Sequence, residues 1–176
     1  MDELAGRLEE TLEVWLDSST AESLEQIVLY YLGLRQSTLA VAESCTGGMI
    51  AQRITSVPGA SRAFLGGAIV YSNELKTAFA GVAPELIEQY GAVSEEVART
   101  LASGIRQRTG ATIGLGITGI AGPSGGTDAK PVGLVYIAVS DAQRTDVLER
   151  TFRGSRQRVR EWTAHQALDL IRRKLM

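Results

Sequence analysis

The feature that most constrains this sequence is a regular alternation of short strand-like runs with amphipathic helical segments, from residue 38 to the C-terminal region. Strands are predicted at 38–42, 64–71, 112–117, 133–139 and 147–152. Helices are predicted at 47–55, 74–80, 84–90, 95–108 and after residue 155. This alternation is typical of a layered α/β domain, and the hairpin formed by the last two strands predicts a mixed sheet.

Residues 1–35 carry two further apolar stripes at helical spacing, made by Leu4, Leu8, Leu12 and Trp15 or Leu16, and by Leu24, Ile27, Val28, Tyr31 and Leu32. Ser19 and Glu22 form a capping-box pattern, and Gly33 is predicted to end the second helix. We therefore divide the chain into an N-terminal helical extension, residues 1–35, and a main domain, residues 36–176. The extension is interpreted as a packing or oligomer surface.

The composition fits one ordinary globular domain. The chain has 176 residues, of which 44% are hydrophobic and 22% are charged, and this excludes a disordered or collagen-like chain. The single cysteine, Cys45, excludes a disulfide framework and indicates a reducing compartment, so we expect a cytoplasmic protein. One cysteine and one histidine, His165, are too few for a Cys/His zinc site.

Charge and hydropathy also limit the classes of partner. The formal net charge of −2 gives no broad basic footprint for nucleic acid. No apolar run approaches the ~20 residues that a transmembrane helix requires. The acidic start MDEL does not fit a signal peptide. We therefore expect neither direct nucleic-acid binding nor a membrane segment.

The segment AESCTGG at 42–48 follows the first predicted strand and opens a helix. Main-chain N–H groups and the helix dipole at such a helix start favour an anion or oxyanion. Gly47 and Gly48 permit close approach of a ligand to the backbone. The spacing differs from a P-loop, which requires GxxxxGK[ST], and from GxSxG. The alternative is a plain N-cap formed by Ser44 or Thr46.

A second segment places Tyr71 at the end of a predicted strand and Lys76 in the helix that follows. Ligands of open α/β sheets bind at the carboxyl ends of strands, where these two side chains are expected to converge. A buried lysine with a lowered pKa, or a tyrosine beside a lysine, acts as general base to a serine hydroxyl. The alternative is a core tyrosine with a solvated lysine.

A third segment, residues 114–133, is a strand that runs into a long glycine-rich loop. So much glycine is entropically costly, and close approach of the backbone to a phosphate, ribose or amide explains it. The alternative is a mobile surface loop.

A fourth segment places Arg156 and further arginines at the start of the last helix, where positive charge opposes the helix dipole. The guanidinium of Arg156 is a candidate bidentate partner for a phosphate. The alternative is that these arginines form a solvent-exposed face of the helix. His165 lies in the middle of that helix and is interpreted as a surface or packing residue.

Together these segments resemble the C-terminal amidohydrolase domain of the CinA (competence/damage-inducible) family, which also occurs as a stand-alone nicotinamide-nucleotide amidase. The matching motifs are AESCTGG at 42–48, YSNELK at 71–76, GAVSEEVA at 91–98, GITGIAGP at 116–123 and KPVG at 130–133. The resemblance covers residues 36–174 and implies a three-layer α/β/α sandwich with a mixed, roughly five-stranded sheet. The family's larger N-terminal molybdopterin-binding-like domain is not expected, because residues 1–35 are too short to hold it.

The resemblance implies hydrolysis of the carboxamide of nicotinamide mononucleotide, giving nicotinate mononucleotide and ammonia. Ser44 is then the nucleophile, Tyr71 and Lys76 are its activating partners, and no metal or organic cofactor is needed. A Ser-His-Asp triad does not fit, because the one histidine lies elsewhere. N–H groups near residues 46–48 are expected to form the oxyanion hole. The resemblance also implies homo-oligomers and a set of substrate-binding residues: Glu43, Thr46, Gly47, Gly48, Thr118, Gly119, Ala121, Gly122, Lys130 and Arg156.

Two departures from the family pattern stand out. Ser124 occupies a position where an acidic residue often follows the proline, and residues 152–156 read FRGSR in place of an FPGDR-like segment, although Arg156 is retained.

Two other functions stay open: a non-catalytic nucleotide-binding or interaction module linked to competence or DNA damage, and a thiol amidase that uses Cys45. The intact serine, tyrosine and lysine favour the serine amidase.

Overall fold

The computed structural model describes residues 23–176. Its helices and strands alternate along that part of the chain in the predicted order. In chain order they are α1 (Leu24–Leu34), β1 (Leu39–Glu43), α2 (Met49–Thr55), a 3₁₀ turn (Ala60–Arg62), β2 (Phe64–Ile69), α3 (Asn73–Ala80), α4 (Pro84–Tyr90), α5 (Glu95–Thr109), β3 (Ile113–Gly119), β4 (Leu134–Ser140), β5 (Thr145–Thr151) and α6 (Arg156–Leu175).

The five strands form one open sheet in the order β2-β1-β3-β4-β5. β1 is parallel to both β2 and β3, whereas β4 is antiparallel to β3 and β5 is antiparallel to β4. Crossover helices connect the parallel strands, and a short turn connects the last two. The predicted α/β fold with a mixed, five-stranded sheet is confirmed.

Helices cover both faces of the sheet. α1, α2 and α6 pack on one face, and α3, α4 and α5 lie on the other. β1 is buried along its whole length because it has a strand on each side and helices above and below, which explains its continuous apolar run. β2 is an edge strand, and its residues alternate between half-buried and exposed.

Helix α1 belongs to the same core as the sheet. Its Val28 and Leu32 are fully buried, and the helix packs against α6. A capping box of Ser23 and Gln26 begins the helix. The prediction that Gly33 ends it is wrong, because the helix continues to Leu34. The other predicted helix and the Ser19 capping box lie outside the described residues.

Close packing of α5 on α3 requires a glycine at position 104, because a Cβ there would overlap the main-chain carbonyl of Ala80. We expect Gly104→Ala to lower the free energy of unfolding by about 1–3 kcal/mol, the usual cost of overpacking. Gly33→Ala is the matched control: Gly33 lies inside α1, and a Cβ there has nothing within 4 Å. That change should raise stability by about 0.5–1 kcal/mol. Urea denaturation measures both, and equal effects would contradict this account of the α3–α5 contact.

The three parallel strands end at one edge of the sheet, and this edge positions the candidate site. Ser44 directly follows β1, Tyr71 lies two residues beyond β2, and Gly119 ends β3. The carboxyl ends of parallel strands are where open α/β sheets bind ligands.

Candidate active site

A small cleft opens where β1, β2 and β3 end. Its volume is about 210 Å³. It brings together most of the side chains that the four sequence segments suggested. The lining residues are Ser44, Cys45, Tyr71, Asn73, Lys76, Ala92, Val93, Thr118, Gly119, Ala121 and Arg156. Wider depressions of about 460, 470 and 480 Å³ lie elsewhere and contain none of these residues.

Ser44 lies in a tight turn between β1 and α2. Its N–H group donates to the carbonyl of Ile117 on β3 at 3.1 Å, and its own carbonyl accepts from Gly47 at 3.1 Å. Gly47 and Gly48 have left-handed φ angles of 61° and 92°, which glycine adopts without the steric cost of a Cβ. The residue is 7% exposed, so the serine hydroxyl sits in a confined position at the base of the cleft.

The Glu43 side chain caps the start of α2. Its carboxylate is 1% exposed and accepts main-chain N–H groups from Gly48 at 3.0 Å, Ile50 at 3.2 Å and Ala51 at 2.9 Å. The negative charge that a helix start favours is therefore supplied by Glu43 of the chain itself and not by a ligand. The N–H groups of Gly47 and Gly48 both have internal acceptors, so they do not form the predicted oxyanion hole. Glu43, Gly47 and Gly48 hold the turn and are not among the cleft-lining residues.

Lys76 is a buried residue of the cleft lining, which contradicts the alternative of a solvated lysine. It is 2% exposed, and its Nζ donates to the main-chain carbonyls of Tyr71 at 3.1 Å and Ser72 at 3.4 Å. Burial lowers the pKa of Lys76, and the nearby Cys45 and Glu74 only partly oppose that shift. A larger share of the amine is consequently neutral and able to accept a proton.

The Tyr71 side chain lies at the mouth of the cleft and is 57% exposed, so it is not a core tyrosine. Its hydroxyl accepts a hydrogen bond from Nη2 of Arg156 at 2.9 Å. Nη1 of the same arginine donates to the carbonyl of Gly122 at 2.9 Å. Arg156 thus joins the end of β2 to the glycine loop, while Lys76 contacts the main chain of Tyr71 and not its phenol.

The glycine loop contributes Gly119 and Ala121 to the cleft, and two of its polar residues brace the facing wall. The hydroxyl of Thr118 donates to the carbonyl of Ala92 at 2.7 Å. Lys130 lies outside the cleft lining, and its Nζ donates to the carbonyls of Tyr90 at 2.6 Å and Val93 at 2.7 Å. The Lys130 ammonium therefore holds the loop against residues 90–93, which explains its position without a substrate contact.

Cys45 is next to Ser44 but its thiol is a poor nucleophile. The side chain packs in the core under α2. Burial, with a smaller contribution from Glu43, raises the pKa of Cys45 to about 12. The thiolate is the reactive form, so almost none is present near neutral pH. This observation disfavours the thiol amidase.

Four residues that the structure places at or beside the cleft received no site role from the sequence alone. Asn73, Ala92 and Val93 line it. Arg160 donates from Nη2 to the carbonyl of Thr46 at 2.8 Å. Its spacing of four residues from Arg156 puts both arginines on one face of α6, and this spacing was the available signal.

Residues 23–176 contain neither a metal-binding cluster nor a helix that could span a membrane. That part of the chain has no cluster of three or more His, Cys, Asp or Glu side chains able to hold a metal ion. None of its helices combines the length and apolar character needed to cross a membrane.

Comparisons with known proteins agree with the motifs. A family model described as the CinA C-terminal domain matches residues 21–175. Over all 176 residues, CinA-like proteins from Acidobacterium capsulatum and Koribacter versatilis are 64% and 57% identical to this chain. The chain spans 42% of the length of each of these relatives.

Solved structures of competence/damage-inducible proteins have a similar fold. A competence or damage-inducible protein from Enterobacter asburiae has a TM-score of 0.83 and 32% identity, covering 87% of this chain and 96% of that one. The competence/damage inducible protein CihA from Agrobacterium tumefaciens has a TM-score of 0.81 and 33% identity, covering 88% and 96%. On this evidence the chain belongs to the CinA C-terminal domain family.

Proposed function

We propose that this domain is a serine amidase that converts nicotinamide mononucleotide to nicotinate mononucleotide and ammonia. The observation that carries the proposal is the buried Lys76, whose pKa is lowered, in the same small cleft as Ser44. A primary amide is unreactive, so its hydrolysis requires an activated hydroxyl. A neutral amine beside a serine is a general base that works without histidine.

The proposed reaction has two steps, acylation of Ser44 and hydrolysis of the resulting ester. The neutral amine of Lys76 takes the proton of the Ser44 hydroxyl, and Oγ bonds to the carboxamide carbon while its C=O electrons move to oxygen. The C–N bond then breaks, the nitrogen takes up the proton, and ammonia leaves an ester on Ser44. Water attacks this ester in the same way, releasing the carboxylate and restoring the serine. Tyr71, at the mouth of the cleft, is the candidate relay for the proton that reaches the leaving nitrogen.

Arg156 supports a substrate that carries an anion. Both of its hydrogen-bond partners, the Tyr71 hydroxyl and the Gly122 carbonyl, are neutral, so no carboxylate within residues 23–176 cancels its charge through a direct hydrogen bond. Its guanidinium lines the cleft. A phosphate group matches the planar fork of a guanidinium and forms strong charge-assisted hydrogen bonds with it.

The test compares ammonia release from four carboxamides: nicotinamide mononucleotide, its riboside, free nicotinamide and the dinucleotide. The mononucleotide and riboside differ only in the phosphate, so they are the matched pair. We expect kcat/KM to be at least about 30-fold higher for the mononucleotide, as expected for one hydrogen-bonded charge. Equal values for both would contradict the nucleotide site. Tight mononucleotide binding by calorimetry with no ammonia release would indicate the non-catalytic module instead.

A further inference from the structure

The turn that carries Ser44 is held by two charged side chains. The Glu43 carboxylate accepts hydrogen bonds from N–H groups at the start of α2. Arg160 approaches from α6, 114 residues away in sequence, and its Nη2 donates to the Thr46 carbonyl at 2.8 Å. A Cβ on Gly47 would lie 3.5 Å from the same nitrogen, so the guanidinium also packs over the turn.

The peptide between Thr46 and Gly47 depends on this contact. Its N–H group donates to the Ser44 carbonyl at 3.1 Å. Its carbonyl accepts from Arg160, and among residues 23–176 otherwise only from the N–H of Met49 at 3.4 Å, which is near the limit for a hydrogen bond. Gly47 has no Cβ to resist a peptide rotation. Without the guanidinium, one long hydrogen bond would hold this carbonyl in place.

The charge of Arg160 adds an electrostatic effect. Its two hydrogen-bond partners, the Gln157 side chain and the Thr46 carbonyl, are both neutral. The positive charges of Arg156 and Arg160 both favour negative charge at Cys45, the residue next to Ser44. The same field would stabilise the oxyanion that forms when Ser44 attacks an amide.

We infer that Arg160 is a positioning residue, which locks the Thr46 carbonyl and so keeps the Ser44 turn in the geometry needed for attack. This inference rests on the proposed amidase function for its catalytic consequence. The locking itself is a property of the turn and is measurable without substrate.

The kinetic test uses three variants and the mononucleotide. Arg160→Met should lower kcat by about 10- to 100-fold, because a displacement of about 1 Å costs on that order, and should change KM less than about twofold. Arg160→Lys should recover part of the loss, since an ammonium donates to the same carbonyl. Arg158→Met is the control: Arg158 is exposed on the same helix, and it should behave as wild type. A rise in KM at unchanged kcat would make Arg160 a substrate-binding residue and overturn the inference.

The substrate-free test measures the rate at which a disulfide reagent such as DTNB labels Cys45, the only cysteine of the chain. Cys45 is buried in the turn, so labelling of the wild-type protein should be slow. Loss of the Arg160 charge by itself slows labelling, because that charge favours the Cys45 thiolate. Opening of the turn should outweigh this effect, so Arg160→Met should accelerate labelling at least about tenfold, with Arg158→Met unchanged and with thermal unfolding recorded for each variant. An unchanged labelling rate in Arg160→Met overturns the inference.

The two readouts separate the two possible failures. If the wild-type protein releases no ammonia from the mononucleotide, the proposed function fails while labelling still decides whether Arg160 locks the turn. If Arg160→Met does not fold, Arg160→Gln takes its place in both comparisons, and Arg160→Lys stays the rescue variant. The glutamine amide donates a hydrogen bond without charge, so it also separates the hydrogen bond from the electrostatic effect.

Discussion

Replacing Ser44 with alanine is expected to lower kcat for ammonia release by at least about 10⁴-fold, the order of loss when an enzyme loses its covalent nucleophile. The hydroxyl of Ser44 makes no hydrogen bond to other residues in the described range 23–176, so its removal breaks no hydrogen bond of the fold. The other cleft-lining aliphatic hydroxyl, that of Thr118, is committed to the Ala92 carbonyl. Thermal unfolding of Ser44→Ala should therefore match wild type while turnover is lost.

Cys45→Ala is the matched control for the neighbouring position. Its thiol packs in the core, and burial raises its pKa to about 12, so it does not supply a nucleophile near neutral pH. This variant should retain most of its turnover and lose some stability, because the substitution leaves a small cavity. The opposite pattern, with turnover kept in Ser44→Ala and lost in Cys45→Ala, would transfer the nucleophile to Cys45.

The second large effect concerns Lys76. If its neutral amine is the base, kcat should rise with pH along a limb whose midpoint lies below the ~10.4 of an ordinary lysine. Burial is the main cause of that lowered pKa. Lys76→Met should remove the limb and lower kcat by about 10²- to 10⁴-fold, the usual contribution of general base catalysis. Lys76→Arg should be equally poor, because a guanidinium keeps its proton near neutral pH.

The lowered pKa of Lys76 also predicts how the free energy of unfolding changes with pH. The pKa of Lys76 is lower in the folded state than in the unfolded chain, so the unfolded state binds more protons between the two values. The free energy of unfolding therefore rises with pH across that interval. At neutral pH the folded protein bears the cost of a buried charge, and Lys76→Met removes it, but the carbonyls of Tyr71 and Ser72 then lose their hydrogen bonds from Nζ. Because these two effects oppose each other, we expect this variant to be about as stable as wild type at pH 7.

Lys174→Met is the control in which a buried lysine with ion-pair partners is lost. Lys174 is also largely buried, but it forms ion pairs with Asp141 at 2.9 Å and Asp146 at 2.7 Å, and it lies outside the cleft. Its loss should lower stability and leave kcat unchanged, because two carboxylates lose their partner. A large loss of stability in Lys76→Met, with turnover near normal, would make Lys76 a structural residue and would require another base.

Local sequence patterns predicted the strands and helices well, with errors mainly at their ends. β2 was predicted to reach residue 71 but ends at Ile69, because Glu43 on β1 is the last residue available to pair with it. Tyr71 consequently lies beyond the sheet, where its side chain is free to face Arg156. A strand's end depends on the length of its neighbour, which alternation within one segment does not contain.

The placement of Ser44, Tyr71 and Lys76 after strand ends was readable from the chain, because periodicity encodes which positions are buried and where each element stops. Self-association and the substrate stay predictions.

Tertiary structure alone decided the hydrogen-bond partners around these three residues. Arg156 reaches Tyr71 across 85 residues, and Arg160 reaches Thr46 across 114. Lys130, expected to contact substrate, binds main-chain carbonyls of residues 90 and 93 instead. Local patterns report burial and backbone conformation, whereas the partner of a polar side chain depends on how distant segments are brought together by the packing of the helices and the sheet.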